Sequence, residues 1–149
     1  MLIRQAKAAD AEDLRVLYHQ FLTQYPPKEE QDMDLWRKVI EECATDESLF
    51  LLVVEEDGKV VSSVQLAIIP SLTHNVKPFG VIENVVTHGD YQRRGYASAL
   101  LDRALEIAKE FDCYKVFLET GSQKESTLNF YSSCGFAMDQ KHSFQKRFI

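Results

Sequence analysis

"VIENVVTHGDYQRRGYASALLDRALEIAK", Val81 to Lys109, decides the fold. Its second half is an amphipathic helix. Ala97, Leu100, Leu101, Ala104, Leu105 and Ala108 recur at three- and four-residue spacing, with Asp102, Arg103, Glu106 and Lys109 between them. One apolar stripe therefore faces a core. The first half, within "GVIENVVTH", reads as a strand. The junction is unusual. A helix start ordinarily offers Ser, Thr, Asp or Asn as a cap and acidic residues in the first turn. Here the entry is Gln92-Arg93-Arg94-Gly95, so cations sit where the macrodipole is already positive. That makes sense if an anion accepts hydrogen bonds from the first-turn N–H groups. From these residues alone, a solvated basic loop with a glycine turn is the alternative.

Working outward, "LIRQA" reads as a strand and "DAEDLRVLYHQFL" as a helix, with Asp10 as its cap and Leu14, Leu17, Tyr18 and Phe21 on one face. "YPPKEE" breaks it, since consecutive prolines cannot continue a helix. "DLWRKVIEECA" is a second helix with Leu35, Trp36, Val39, Ile40 and Cys43 as its stripe. "SLFLLVVEEDGKVVSSVQLAII" is two β-rich runs around a hairpin signal at Asp57-Gly58. After the central stretch, "CYKVFLET" reads as a strand and "STLNFYSSCGF" as a short helix stopped at Gly135. "HSFQKRF" alternates as a terminal strand. The order β-α-α-β-β-β-α-β-α-β predicts an α/β fold, a mixed sheet with helices on both faces, over residues 1–149 as one domain.

Composition bounds the function. With 45% hydrophobic and 27% charged residues the chain has an ordinary globular balance. A net charge of −6 argues against general nucleic-acid binding, which needs a broad basic surface. No apolar run approaches the roughly 18 to 20 residues that span a bilayer, and the opening "MLIRQAKAAD" is too short in apolar residues for a signal peptide. Cys43, Cys113 and Cys134, an odd count without Cys-x-x-Cys spacing, fit reduced, buried cysteines in a cytoplasmic protein better than a disulfide or zinc framework. No His, Asp or Glu cluster has metal spacing, so no metal is expected.

A strand–loop–helix crossover with an anion at the helix start suggests a nucleotide-like phosphate. Neither Gly-x-x-x-x-Gly-Lys-Ser/Thr nor Gly-x-Gly-x-x-Gly is present. Gln92-Arg93-Arg94-Gly95-Tyr96-Ala97, a Gln-x-x-Gly-x-Ala pattern, stands in their place. Gly95 lets backbone approach a ligand without a Cβ in the way, and Ala97 keeps the next turn small.

This loop resembles the coenzyme A loop of the GNAT acetyltransferase superfamily. "VIENVVTHGDYQRRGYASALL" resembles the family's fourth strand, loop and third helix, and "FYSSCGF" its Phe-Tyr-x-x-x-Gly-Phe signature on the fourth helix. The resemblance covers nearly the full chain. It implies acetyl-CoA as co-substrate, with Val85, Val86 and Thr87 bonding the pantetheine arm through backbone groups. Gln92, Arg93, Arg94, Gly95, Tyr96 and Ala97, with Ser98, would hold the pyrophosphate by backbone N–H, and Tyr131 would sit near the thioester sulfur. The Asn that many members carry near the start of the fourth helix has no counterpart among Lys124 to Thr127, so that contact stays unassigned.

The chemistry adds one residue. An amine attacking a thioester must lose a proton. Glu83 is the candidate base, because strand alternation puts Val81, Glu83 and Val85 on one face and partial burial would make it a stronger base. A structural Glu, buried in an ion pair or exposed on an edge, is the alternative. Tyr131 can donate to the departing sulfur. His88 reads as a solvated turn residue, and His74 and Asn75 as surface loop. The expected acceptor is a primary amine of a small molecule. The chain also resembles, more weakly, the glucosamine-6-phosphate acetyltransferase branch, but "ETGSQKEST" departs from that branch's acidic segment. A protein or peptide amine as acceptor, a non-catalytic acyl-coenzyme A sensor, and a nucleotide-binding regulatory domain remain open, as does a homodimer.

Overall fold

The hairpin expected at Asp57-Gly58 forms and organises the sheet. In the computed structural model, which describes residues 1–149, both turn residues are left-handed (φ 52° and 74°), and Glu56 faces Lys59 across them. A two-residue turn with both φ positive matches the right-handed twist of the strands it joins. Those strands are β2 (Leu49–Glu56) and β3 (Lys59–Ile69). β1 (Leu2–Gln5) pairs antiparallel with β2, and β4 (Phe79–Thr87) antiparallel with β3. β5 (Val116–Leu118) pairs parallel with β4, giving one mixed sheet in the order β1-β2-β3-β4-β5.

The chain divides into two compact units, Met1–Glu119 and Thr120–Ile149. The first holds the sheet with α1 (Ala11–Leu17), α2 (Met33–Thr45) and α3 (Tyr96–Glu110). Leu14 and Leu17 of α1 and Ile40 and Cys43 of α2 cluster with Leu51, Val53, Val60 and Val86 on one sheet face. The buried α3 residues Leu100, Leu101 and Ala104 lie outside that cluster, and α3 packs on β2, β3 and β4 from the other side. Each buried Leu, Ile or Val side chain among these contributes about 1.5–3 kcal/mol by leaving water. The stripe read around Leu100 is thus the α3 core face.

Several expectations are corrected. The first helix is three pieces: a 3-10 turn (Ala8–Asp10), α1, and a π-helical turn (Tyr18–Leu22). In α2 only Ile40 and Cys43 are buried, while Leu35 and Val39 are exposed, because the helix meets the cluster along a stripe narrower than its apolar residues. The loop before β4 contains a left-handed turn, with His74, Asn75 and Val76 all at φ near +57° to +58° and His74 stacked on Tyr114 at 3.9 Å.

In the second unit α4 (Glu125–Ser133) stops as expected at Gly135 (φ 92°). Gly135 N donates to Ser132 O (3.0 Å) and Phe136 N to Tyr131 O (3.2 Å), the paired bonds of a Schellman stop. The terminal strand does not form. "HSFQKRF" has no pairing partner, and Phe144 and Phe148 are 95% and 89% exposed. Alternation supplies propensity, but a strand without a neighbour has unsatisfied backbone groups and no buried face.

Candidate active site

The site starts from an irregularity in β4. Gln65 faces Glu83 and Ser63 faces Val86, so Val64 alone spans Asn84 and Val85. Asn84 takes the extra position with φ 54°. This is a β-bulge, and it reverses the inside–outside parity beyond it. Val86 therefore joins the α1–α2 cluster, although Ile82, four residues earlier, faces Leu66 and lies outside that cluster. Glu83 pairs with Gln65, which pairs with Leu51 of the cluster, so Glu83 also lies on the α1–α2 side. The strict alternation that put Glu83 and Val85 on one face is thus broken. The expected partial burial of Glu83 is corrected as well. Glu83 is exposed, because β5 ends at Leu118, opposite Ile82, and no strand flanks β4 beyond that point.

The consequence is an open strand edge. Val86 O accepts from Ser62 Oγ (2.9 Å), and His88 N donates to Val61 O (2.8 Å), so both point at β3. Alternation then turns the backbone groups of Val85 and Thr87 to the open side. Such a row of N–H and C=O groups is a template for an extended partner.

The edge leads into the basic loop. Gln92, Arg93, Arg94 and Gly95 are exposed. Gly95 is the N-cap of α3 at φ 82°, and Arg93 is also left-handed at φ 60°. No side chain caps the helix and its first turn holds no acidic residue. No protein group takes the Tyr96 and Ala97 N–H groups. A Cβ added at Gly95 would meet nothing within 4 Å, so the glycine faces open space. The Tyr96 ring is buried, which leaves only its backbone for a ligand; Ala97 and Ser98 are half-buried. Arg94 is already engaged, donating to Asp90 O (3.0 Å) with its guanidinium 4.9 Å from the Tyr91 ring centre.

Tyr131 lies on α4 in the second unit, half-buried, its ring 5.2 Å from that of Phe130. Burial, with the nearby Cys134, raises its phenol above the ordinary value, so it holds its proton at neutral pH. No three His, Cys, Asp or Glu side chains come together as a metal site, and no helix is long and apolar enough to cross a membrane. Sequence reasoning missed Asn84, whose signal is an Asn inside an otherwise β-branched strand. It also missed the capping role of His88, whose Nδ1 accepts from Asp90 N (3.2 Å).

A family model described as Acetyltransferase (GNAT) family matches residues 13–136. A putative acetyltransferase from Agrobacterium tumefaciens str. C58 is 35% identical, with 99% of each chain covered and a TM-score of 0.88. A structure described as a transcriptional regulator from Bacillus halodurans C-125 is 26% identical, with the same coverage and TM-score. Glucosamine 6-phosphate N-acetyltransferase of Trypanosoma brucei brucei is 34% identical over 84 residues, 56% of this chain and 55% of that protein. The chain thus matches about half the length of that curated relative.

Proposed function

The chain belongs to the GNAT acetyltransferase family, and from that premise we propose that it transfers an acetyl group from acetyl-CoA to a primary amine of a small molecule, by direct attack in a ternary complex. The observation that carries this reading is the continuity between the open β4 edge and the uncapped start of α3. A long ligand with an amide-bearing arm at one end and a pyrophosphate at the other fits both features at once. The outward backbone groups of Val85 and Thr87 suit the arm. Val86 supports them from the core, since its own carbonyl is taken by Ser62. Gln92 N is already bonded to Gly89 O (3.5 Å), so the N–H groups from Arg93 through Ala97, with Ser98, are the ones that suit the pyrophosphate, helped by the helix dipole. Arg93, exposed, supplies charge.

The bound thioester would supply the activated acyl group; the chain's residues do the rest. Glu83, exposed at the open edge, accepts the proton of the incoming amine, directly or through one water. Tyr131 keeps its proton and donates it, or a hydrogen bond, to the departing sulfur. A strand N–H beside Glu83 stabilises the developing oxyanion. No covalent adduct with the protein is required, so none of the three cysteines, of which only Cys43 is buried as expected, needs a catalytic role.

The curated relative named for glucosamine 6-phosphate makes amino sugars the first acceptors to assay, followed by other small amines and then peptides. The test is thiol release from acetyl-CoA across that panel, with the product identified by mass. Thiol release matched by an N-acetylated small amine is expected. Coenzyme A binding without transfer to any acceptor would make the chain a binding module.

A further inference from the structure

The proposed coenzyme A loop is held from behind by a stacked brace that reaches across from the α1 side of the fold. Phe21, in the π-helical turn after α1, lies 4.4 Å from the His88 ring, centre to centre. His88 meets Tyr91 edge-on at 5.7 Å, and the Arg94 guanidinium lies 4.9 Å from the Tyr91 ring centre. Two hydrogen bonds close this stack onto one peptide-bonded residue. His88 Nδ1 accepts from Asp90 N (3.2 Å), and Arg94 Nη2 donates to Asp90 O (3.0 Å). Gly89 completes the fit, because a Cβ there would come within 3.0 Å of the Phe21 ring. The 3-10 turn Gly89–Tyr91 is therefore clamped by its flanks immediately before the residues that turn their N–H groups outward.

We propose that His88 is a positioning residue for the phosphate loop. The proposal rests on the coenzyme A reading of the loop. A backbone N–H can be accepted only by an unprotonated Nδ1. A side chain without an acceptor at this position leaves Asp90 N uncapped, and the loop is then less well preset for its anion.

The ligand-free protein tests the brace, and coenzyme A tests its purpose. The Asp90 amide shift is followed by NMR in wild type, His88→Asn and His88→Leu. Coenzyme A affinity is measured by calorimetry on the same samples. Asparagine keeps a side-chain acceptor at a capping position. His88→Leu should displace the Asp90 amide and weaken coenzyme A about fivefold, the loss of one cap. His88→Asn should restore both toward wild type. An Asp90 amide unmoved by His88→Leu, or wild-type affinity in His88→Leu, would overturn the proposal. A displaced Asp90 amide in His88→Leu, with no affinity for coenzyme A in wild type, would confirm the brace and remove the functional reading instead.

Discussion

Arg93 and Arg94 are neighbours with different duties. Arg94 is spent on Asp90 O and the Tyr91 ring, whereas Arg93 is exposed with its backbone left-handed. Arg93→Gln should therefore weaken coenzyme A about fivefold at low salt, with the loss shrinking as salt rises, since an exposed charge acts through a screened field. Arg94→Gln should produce a loss that salt barely changes, because it acts through the geometry of the turn. Calorimetry at two salt concentrations separates the two, and identical salt slopes would make the arginines equivalent again. Glu83 carries the other residue-level expectation. If it takes the amine proton, Glu83→Gln lowers kcat at neutral pH and recovers in part at high pH, where the free amine is abundant. A variant with the wild-type pH–rate profile would leave Glu83 without a catalytic part.

Strand β4 does most of the work at the scale of elements. Its bulge ends simple alternation, and its outer edge is bare beyond Ile82 because β5 is three residues long. Asn84 tolerates the left-handed position that the bulge demands. Asn84→Gly should keep stability within a few tenths of a kcal/mol, whereas Asn84→Val should cost about 1–2 kcal/mol in chemical denaturation, since a β-branched residue is strained there. Equal stabilities would mean that the bulge relaxes when challenged. The stripe of α3, the Asp57-Gly58 turn and the Gly135 stop were legible in the sequence, because each is fixed by local spacing or by a residue that alone suits its φ. The bulge was not. Strand periodicity carries no mark of where pairing slips, nor of where β5 stops and leaves Glu83 exposed. The exposure of Leu35 and Val39 was equally hidden, since a helix's own pattern does not say how wide a stripe its neighbours cover.

At the scale of the whole molecule, stability at low pH turns on Asp10. Its side chain is 7% exposed, accepts from both terminal nitrogens of Arg4 (2.7 and 2.9 Å) and from Lys7 N (2.8 Å), and Arg4 also binds Glu55 of β2. Burial alone would raise the Asp10 carboxyl, but the Arg4 guanidinium and the Lys7 N–H outweigh it and hold it below the ordinary value. A lowered carboxyl contributes stability above its unfolded-state value and loses it as pH falls through the folded one. Asp10→Asn should thus cost about 1–2 kcal/mol near neutral pH, since Arg4 keeps Glu55 but loses its other carboxylate, and should flatten the loss of stability in acid. Urea titrations at several pH values read both effects; a variant whose stability falls in acid as steeply as wild type would place that pH dependence elsewhere. The element order was legible to the last helix, while the final alternating segment was not settled by its pattern, because only a partner makes a strand. The most direct test of the central claim, that the open β4 edge and the start of α3 form a coenzyme A site, is calorimetric titration of coenzyme A into wild type and Gly95→Asp. An aspartate tolerates the left-handed cap and would project into open space, so the fold should survive, while its charge would stand where the pyrophosphate belongs. Saturable binding to wild type and none to the folded variant is the predicted result; equal affinity for both would contradict the account.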